Sequence, residues 1–593
     1  MTDKKKNLLE TKSIVIKVFE SINNSDRLKI IYITLSVIIS SAFDLISLKA
    51  LSPLISNLSN IEDLNKYLIV RIIYFLFPSA TNSNLLLITC FIFAICIFLS
   101  ALSKLITLYW TETFAENVAL YYTKKAYVNI FSKPYIYFLK KNSSEFLILT
   151  TRYINQAVTT MKSIINVFSS LFMTTIIIAT LLISNFKVTF SIILFTLIIY
   201  YVIISFFNKK LYFLGKYESQ ESRRNIKLVQ ESIGSIKDII LNKSQNYFIN
   251  QIINSTKTIK GILKRINIYL AFPRYMVEAI GIASILLFGI LLNDSDSIVE
   301  VLPLIASLAF GLQKVLPLVQ NFYLNYSQVR TNIYSFDYLL GYLEENENLG
   351  NQSLTKSSLK FSKSIKFKDV SFRYDKKSKF SLNGINIEIK HGENVGIIGF
   401  TGSGKSTFID ILIGLLKPTK GDVLIDDKNL YSNKNNIESW HKILSHVPQE
   451  VFLADNDILK NIAYGLENNK IDIKKIRDAI ANSQLTNFIN NHNKGLNYKV
   501  GERGINLSGG QRQRLGIARA LYGDPKILIL DEATSALDSK TEEKILNMIL
   551  KRDDDQTCIM ITHRVSTLKK FDRIIKFKDG DIVFDGKPEN LPS

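Results

Sequence analysis

The stretch "VTFSIILFTLIIYYVIISFF", Val188–Phe207, carries no charged residue. Its length matches the about 20 apolar residues that cross the hydrocarbon core of a bilayer. Five further stretches have the same character, at about Ile30–Leu54, Leu85–Leu105, Ile164–Ile183, Phe272–Leu292 and Val301–Val319. One such helix could sit in the core of a soluble protein. Six of them ahead of a polar second half call for lipid, where a helix satisfies every backbone group internally. The expectation is an α-helical transmembrane domain of six spans over residues 28–330.

Charge placement orients it. The segment Trp110–Lys162 holds Lys124, Lys125, Lys133, Lys140, Lys141 and Arg152, and Asn208–Arg265 holds Lys209, Lys210, Arg223, Arg224 and Lys227. The loop after the fifth span carries Asp294, Asp296 and Glu300 instead. By the positive-inside rule the two basic segments, both termini and the polar half face the cytoplasm. The net charge of +21 resides largely there, so no nucleic-acid partner is expected. Both basic segments are too long for turns and read as helical extensions below the bilayer. Their tips are expected near Lys141–Phe146, with Ser144 as a cap, and near Val229–Asp238, broken by Gly234. An interfacial helix is expected on the outer leaflet over Ile61–Pro78 and another on the inner face over Ser13–Ile22, within a cytoplasmic N-terminal segment, residues 1–27. Cys90, Cys96 and Cys558 lack metal-ligand spacing, so neither a zinc site nor a disulfide framework is expected. A cleaved signal peptide is not expected either.

A polar linker, residues 331–362, leads to strands and then to "GFTGSGKST", Gly399–Thr407. Gly399, four residues, then Gly404, Lys405 and Ser406 fit the P-loop. Its backbone N–H groups close on phosphates, its lysine reaches the β/γ-phosphates and its hydroxyl takes Mg²⁺. "KILILDEATSALD" is an apolar strand ending in Asp531, a carboxylate for the Mg²⁺ water shell. Glu532 follows, placed to orient or deprotonate an attacking water. Gln449 in "SHVPQE" and His563 at the end of "IMITHR" complete the set. A second anion-binding turn, "LSGGQRQRLGIARAL", Leu507–Leu521, opens another helix.

In this order the motifs resemble an ABC transporter half of the exporter type, over nearly the whole chain. The resemblance implies a six-helix membrane domain with long cytoplasmic extensions. It also implies an α/β P-loop ATPase domain, residues 363–593, with an antiparallel β subdomain and a helical subdomain. Tyr374 then stacks on adenine. Gly399, Phe400, Thr401, Gly402, Ser403, Gly404, Lys405, Ser406 and Thr407 form the Walker A loop. Gln449 is the Q-loop glutamine, Asp531 the Walker B aspartate, Glu532 the catalytic glutamate, Ser535–Asp538 the D-loop and His563 the switch histidine. Ser406, Gln449 and Asp531 hold Mg²⁺, the last through water. Val500–Gly504 resembles the segment that touches the membrane domain. Ser508, Gly509, Gly510 and Gln511 close on the ATP of a partner chain. A homodimer of ATP hydrolases coupled to transport follows, and the same set also suits a heterodimer with a degenerate partner.

Within the spans, Arg274 and Glu278 lie one helical turn apart, Gln313 and Lys314 sit mid-span, and Asp44 and Lys49 interrupt the first span. Intramembrane charge is costly and usually functional. One reading pairs Arg274 with Glu278 and lets Lys49 snorkel. The other makes Lys314, Arg274, Glu278 and Asp44 part of a translocation cavity for an anionic headgroup. "FDLISLKALSP", "PRYMVEAIG" and the helix around Tyr67–Phe77 are similar to exporters that flip lipid-linked oligosaccharides or polysaccharide precursors, although Asp44 stands where a Glu is more usual. The expected function is an ATP-driven flippase for such an amphipathic substrate in a bacterial inner membrane. The alternatives are a peptide, drug or lipid exporter, or an ATP-gated channel or sensor.

Overall fold

Where leucine, isoleucine and phenylalanine run on without glycine or turn residues, the chain forms helices far longer than the globular average of about 11 residues. In the computed structural model, residues 24–58, 67–76, 78, 82–184, 186–291, 298–344, 359–375, 378–550 and 555–591 are described. Their helices begin with α1 (Asn24–Leu58), α2 (Leu68–Leu76), α3 (Asn82–Ser132), α4 (Tyr135–Lys140) and α5 (Ser143–Ile148). After a π-turn at Leu149–Tyr153 follow α6 (Ile154–Ser184), α7 (Phe186–Gly234), α8 (Ile236–Leu241), α9 (Gln245–Leu291) and α10 (Ile298–Glu344). The chain divides into two units. One comprises residues up to Lys133 and Lys141–Gly350; the other comprises Pro134–Lys140 and Asn351–Ser593.

In the first unit α1 packs along α3, α6 along α10, and α9 along α7. Among the described residues, four helices are long and apolar enough to cross a membrane: Leu28–Ser56, Asn84–Ser132, Ser143–Ile183 and Ile198–Gly234. The fifth and sixth apolar stretches fall on α9 and α10. Gly215 of α7 permits close approach to α10, since a Cβ there would lie 2.0 Å from the Thr331 carbonyl oxygen. Beyond the apolar segments, Arg152 pairs with the nearly buried Glu218, and the buried Tyr153 hydroxyl accepts from Ser219 at 3.0 Å and Arg223 at 3.1 Å.

The tips differ in detail from expectation. The first break comes earlier, with α4 lying between Ser132 and Asn142. The cap of α5 is Asn142, whose side chain accepts from the Ser144 N–H at 3.0 Å. Asn is at least as good an N-cap as Ser, and it stands two residues earlier. Gly234 does end α7. The expected linker also starts late: α10 continues to Glu344 because Phe336, Leu339, Leu340 and Leu343 give it a buried face. Ser13–Ile22, and the part of the linker at 345–358, lie outside the described residues.

The second unit is built on two sheets. The first has the order β2-β1-β4-β5, with β1 Ser364–Phe372, β2 Leu382–Lys390, β4 Lys420–Ile425 and β5 Lys428–Asn429, all neighbours antiparallel. The second runs β10-β9-β3-β8-β7-β6, with β3 Asn394–Gly399, β6 Leu444–Val447, β7 Ile527–Asp531, β8 Thr557–Ile561, β9 Arg573–Lys578 and β10 Asp581–Gly586. Only the β9–β10 pair is antiparallel. Strand β8, "TCIMI", is buried at every residue, as a central parallel strand covered on both faces should be. Helix α11 (Lys405–Leu412) follows β3. Its Phe408 stacks on Phe367 of β1 at 4.6 Å and meets Phe577 of β9 at 5.3 Å, joining both sheets around the glycine loop. A helical subdomain interrupts the parallel sheet: α12 (Lys434–His441), α13 (Ile458–Ile462), α14 (Ile473–Asn482), α15 (Thr486–Asn490) and α16 (Gly509–Tyr522). Helices α17 (Ser539–Leu550) and α18 (Val565–Leu568) complete the unit. The short α4 also belongs here: Ile136 packs against the core, and Lys140 Nζ pairs with Asp375 at 2.5 Å.

Candidate functional site

The glycine loop lies between the end of β3 and the start of α11. Gly404 takes φ +104°, and a Cβ there would come within 2.7 Å of the Ser381 carbonyl oxygen, so only glycine fits. The Lys405 ammonium donates to the carbonyls of Gly399 at 2.8 Å and Phe400 at 2.9 Å. Burial holds its pKa below the usual lysine range, against the opposing pull of Glu532 and Asp531. Ser403 Oγ is buried with no hydrogen-bond partner. A loop of exposed N–H groups, a buried cation and an orphan hydroxyl suits a polyphosphate. Phe400, Thr401, Gly402 and Ser406 are exposed or open, whereas Thr407 is buried and its hydroxyl lies 3.1 Å from the Tyr374 hydroxyl. Tyr374 meets Phe372 edge-on at 5.0 Å, which fixes the ring beside the loop.

Across the sheet, burial and then the neighbouring Glu532 raise the pKa of the Asp531 carboxyl. The hydroxyl of Ser406, the amide oxygen of Gln449 and the carboxylate of Asp531 are hard oxygen donors, the chemistry that suits Mg²⁺. The carboxylate of Glu532 is fixed from two sides: Gln449 Nε2 donates to one oxygen at 2.9 Å, and His563 Nε2 lies 2.9 Å from the other. Its backbone sits at φ +48°, an unusual conformation for a non-glycine residue, stabilised by an N–H bond of 3.0 Å to the Ile561 carbonyl. The sequence-derived trio Glu532, Gln449 and His563 therefore meets at one point.

The second turn is a capped helix start. Ser508 is the N-cap of α16; its Oγ accepts from the Gln511 N–H at 3.2 Å and its N–H donates to Gln511 Oε1 at 2.8 Å, a reciprocal capping box. Ser508 is exposed, and Gly509 and Gly510 are half-buried against Ala536. Gln513, unremarked in the sequence although it lies in the signature stretch, donates to Ser535 Oγ at 2.9 Å and accepts from the Ala536 N–H at 2.8 Å. Arg564, directly after His563, pairs with the buried Glu542 and donates to the Ser535 carbonyl at 3.0 Å. Both residues tie the 535–538 turn to its neighbours; adjacency to the motifs was the sequence signal that could have found them. Gln449, Arg503, Gly509, Arg512 and Gln513 contribute to the lining of a cleft of about 560 Å³.

In the first unit the intramembrane charges sort differently from either sequence reading. Asp44 is buried, and Lys314 Nζ and Ser100 Oγ each meet its Oδ1 at 2.7 Å. Lys104 Nζ, from α3, meets Oδ2 at 2.7 Å. Lys104 escaped notice because it ends its apolar stretch and reads as an interfacial cation. Arg274 and Glu278 are both exposed, and among the described residues no ion pair joins them; the expected pairing is corrected. Pro273, inside α9 next to Arg274, removes a ladder donor there. Lys49 and Gln313 are exposed as well.

Comparison with known proteins agrees with this geometry. Residues 30–314 match the family described as ABC transporter transmembrane region, and residues 382–535 match the one described as ABC transporter. An "ATP-dependent lipid A-core flippase" of Ralstonia nicotianae is 37% identical over 228 residues, 38% of each chain. A "Leukotoxin translocation ATP-binding protein LktB" of a Pasteurella haemolytica-like species is 42% identical over 228 residues, 38% of this chain and 32% of that protein. The chain thus spans well under half the length of the curated relatives it matches. A bacterial Atm1-family ABC exporter solved with ATP bound superposes with a TM-score of 0.78 over 96% of both chains at 20% identity, which shows a shared fold. With a transmembrane-region match and an ATP-binding match in one polypeptide of exporter fold, the chain belongs to the ABC transporter family.

Proposed function

We propose that the chain is one half of an ATP-driven exporter that moves an amphipathic, anionic substrate, of the lipid-linked glycan kind, across a bacterial inner membrane. The observation that carries the ATPase part is the convergence of Gln449 and His563 on Glu532, at the end of the strand that also supplies Asp531. In this reading Glu532 orients and takes a proton from the attacking water, and His563 and Gln449 keep its carboxylate aimed. Lys405 and the loop N–H groups bind the β/γ-phosphates, Tyr374 offers a face to adenine, and Ser406, Gln449 and Asp531 would hold Mg²⁺. The metal neutralises phosphate charge when bound.

The chain carries one helical unit and one nucleotide unit, and Ser508 and Gly510 present a second anion-binding helix N-terminus outside the glycine loop. Two copies, head to tail, would each complete the other's ATP site. ATP favours the joined pair because it contacts both copies only there, and that differential affinity can drive the membrane helices between inward and outward states. The Lys and Arg excess of the two basic segments supports a nucleotide unit and termini on the inner side. The substrate class rests on the intramembrane cations and on the likeness to a protein named as a lipid flippase. Reconstitution tests it: ATP-dependent movement of a fluorescent polyprenyl-diphosphate glycan in proteoliposomes supports the reading. Movement of peptides or hydrophobic cations alone supports the peptide or drug alternative. Conductance without accumulation supports a channel.

A further inference from the structure

The Lys104–Asp44–Lys314 cluster joins three helices, α3, α1 and α10, within their apolar segments. It holds one carboxylate and two ammonium groups, so it carries a surplus positive charge. The carboxylate is nearly fully buried, whereas the Lys314 side chain keeps 22% and the Lys104 side chain 41% of its exposure. The cluster is therefore asymmetric: the anion is fixed in the protein and the cations reach outward. A polar seam surrounds it. Ser100 donates to Asp44, Thr107 donates to Ser36 at 2.8 Å, and Ser40, one helical turn before Asp44, is fully buried with an unpartnered hydroxyl. Against this stands an apolar layer of Leu48, Val315, Ile177 and Leu181.

We propose that Lys104 and Lys314 are the anion-binding pair for the acidic headgroup of the substrate, and that Asp44 is the built-in counter-ion that occupies them when no substrate is bound. This rests on the reading of the substrate as an amphipathic anion and assigns its recognition to named atoms. A single intramembrane lysine would be costly to keep charged; Asp44 offsets that cost by pairing with both lysines and still leaves one positive charge in surplus. A substrate phosphate then takes one charge-assisted hydrogen bond from each ammonium, and Asp44, left with Ser100, takes up a proton from water, so no buried carboxylate is stranded.

The single lysine variants retain a partner for Asp44. In K104Q it keeps Lys314 and Ser100; in K314Q it keeps Lys104 and Ser100. The test uses the full chain in phosphatidylcholine nanodiscs and follows the rise in Tm with added dodecyl phosphate. Dodecyl trimethylammonium and sodium phosphate serve as the cationic and headgroup-only controls. The wild type should be stabilised by dodecyl phosphate alone. K104Q and K314Q should each weaken the response about 10-fold, and D44N, freed of the internal competitor, should strengthen it several-fold. A dodecyl phosphate response unchanged in both lysine variants overturns the assignment and leaves the anionic-substrate reading standing. No response in the wild type overturns both. D44N weakened like the lysine variants makes the cluster a structural tie and overturns the exchange. An equal response to sodium phosphate overturns the lipid-headgroup assignment. Should D44N fail to assemble, the two lysine variants alone decide.

Discussion

His563 Nε2 lies 2.9 Å from one carboxylate oxygen of Glu532 while Gln449 donates to the other, so the residue assigned to the water is held in one orientation by its protein neighbours. Such preorganisation is what general-base catalysis needs, and the base itself contributes about 10²–10⁴-fold. E532Q keeps the size and the Gln449 neighbour but cannot accept a proton from water. Phosphate release should fall by about 10³-fold while ATP affinity, measured by equilibrium binding, stays within a few-fold of wild type. Turnover near the wild-type rate would remove Glu532 from the base role.

Asp410, on α11 beneath the glycine loop, has its pKa raised to about 6, first by burial and then by repulsion from Asp531. The carboxyl ionises near 3.8 when unfolded, so the unfolded chain loses this proton first as pH rises. The group therefore opposes folding increasingly between about pH 4 and about pH 6, and its effect is constant above that. D410N should flatten this part of the Tm–pH profile and raise Tm at pH 7, by at most the equivalent of about 3 kcal/mol. An unchanged profile between those pH values would contradict the shift.

Arg564 neutralises Glu542, which is 4% exposed and also accepts from Thr534 at 2.8 Å. R564A strands that carboxylate. Breaking a buried pair costs about 3–5 kcal/mol, and discounting for the partial exposure of Arg564 leaves about 2 kcal/mol. Because Arg564 also holds the Ser535 and Leu537 carbonyls, ATP turnover should fall with stability. E542Q/R564A should recover much of the stability but not the turnover, read by calorimetry and phosphate release.

Gly215 faces the Thr331 backbone at a distance no Cβ tolerates. G215A must push α7 from α10 and should lower Tm by several degrees; overpacking of this kind typically costs about 1–3 kcal/mol. A Tm equal to wild type would show that the two helices can separate without loss.

The nucleotide half was legible because its motifs are local. Gly399–Thr407 and Leu507–Gln511 each form a turn and helix start within a few residues, and periodicity alone placed their strands. Gln513 and Arg564 were harder, since their partners at 535–542 are fixed by the order of strands rather than by spacing. The long helices were legible from hydropathy, yet which of their charges meet was not. Arg274 and Glu278 are one turn apart and looked like a pair, whereas both point outward; Asp44 found its partners 60 and 270 residues away. Pairing across helices depends on which faces meet, and a run apolar on all sides carries no such signal. The tip expected near Lys141–Phe146 does carry a break, at Lys141–Asn142, but a second break at Lys133–Pro134, where a separate short helix opens, was not read from the sequence.

ATP is expected to join two copies, the glycine loop of one against Ser508 of the other. Spin labels at F400C and S508C in the full-length E532Q protein, with Cys90 and Cys96 replaced, measure that approach; losing the Ser508 cap costs about 1 kcal/mol, which the fold should bear. Each copy carries both labels, so a third sample mixes the two single-label variants to isolate the distance between copies. A short inter-copy distance should appear on adding Mg-ATP and be absent without nucleotide. Saturating bound ATP with no short inter-copy distance would contradict that joining.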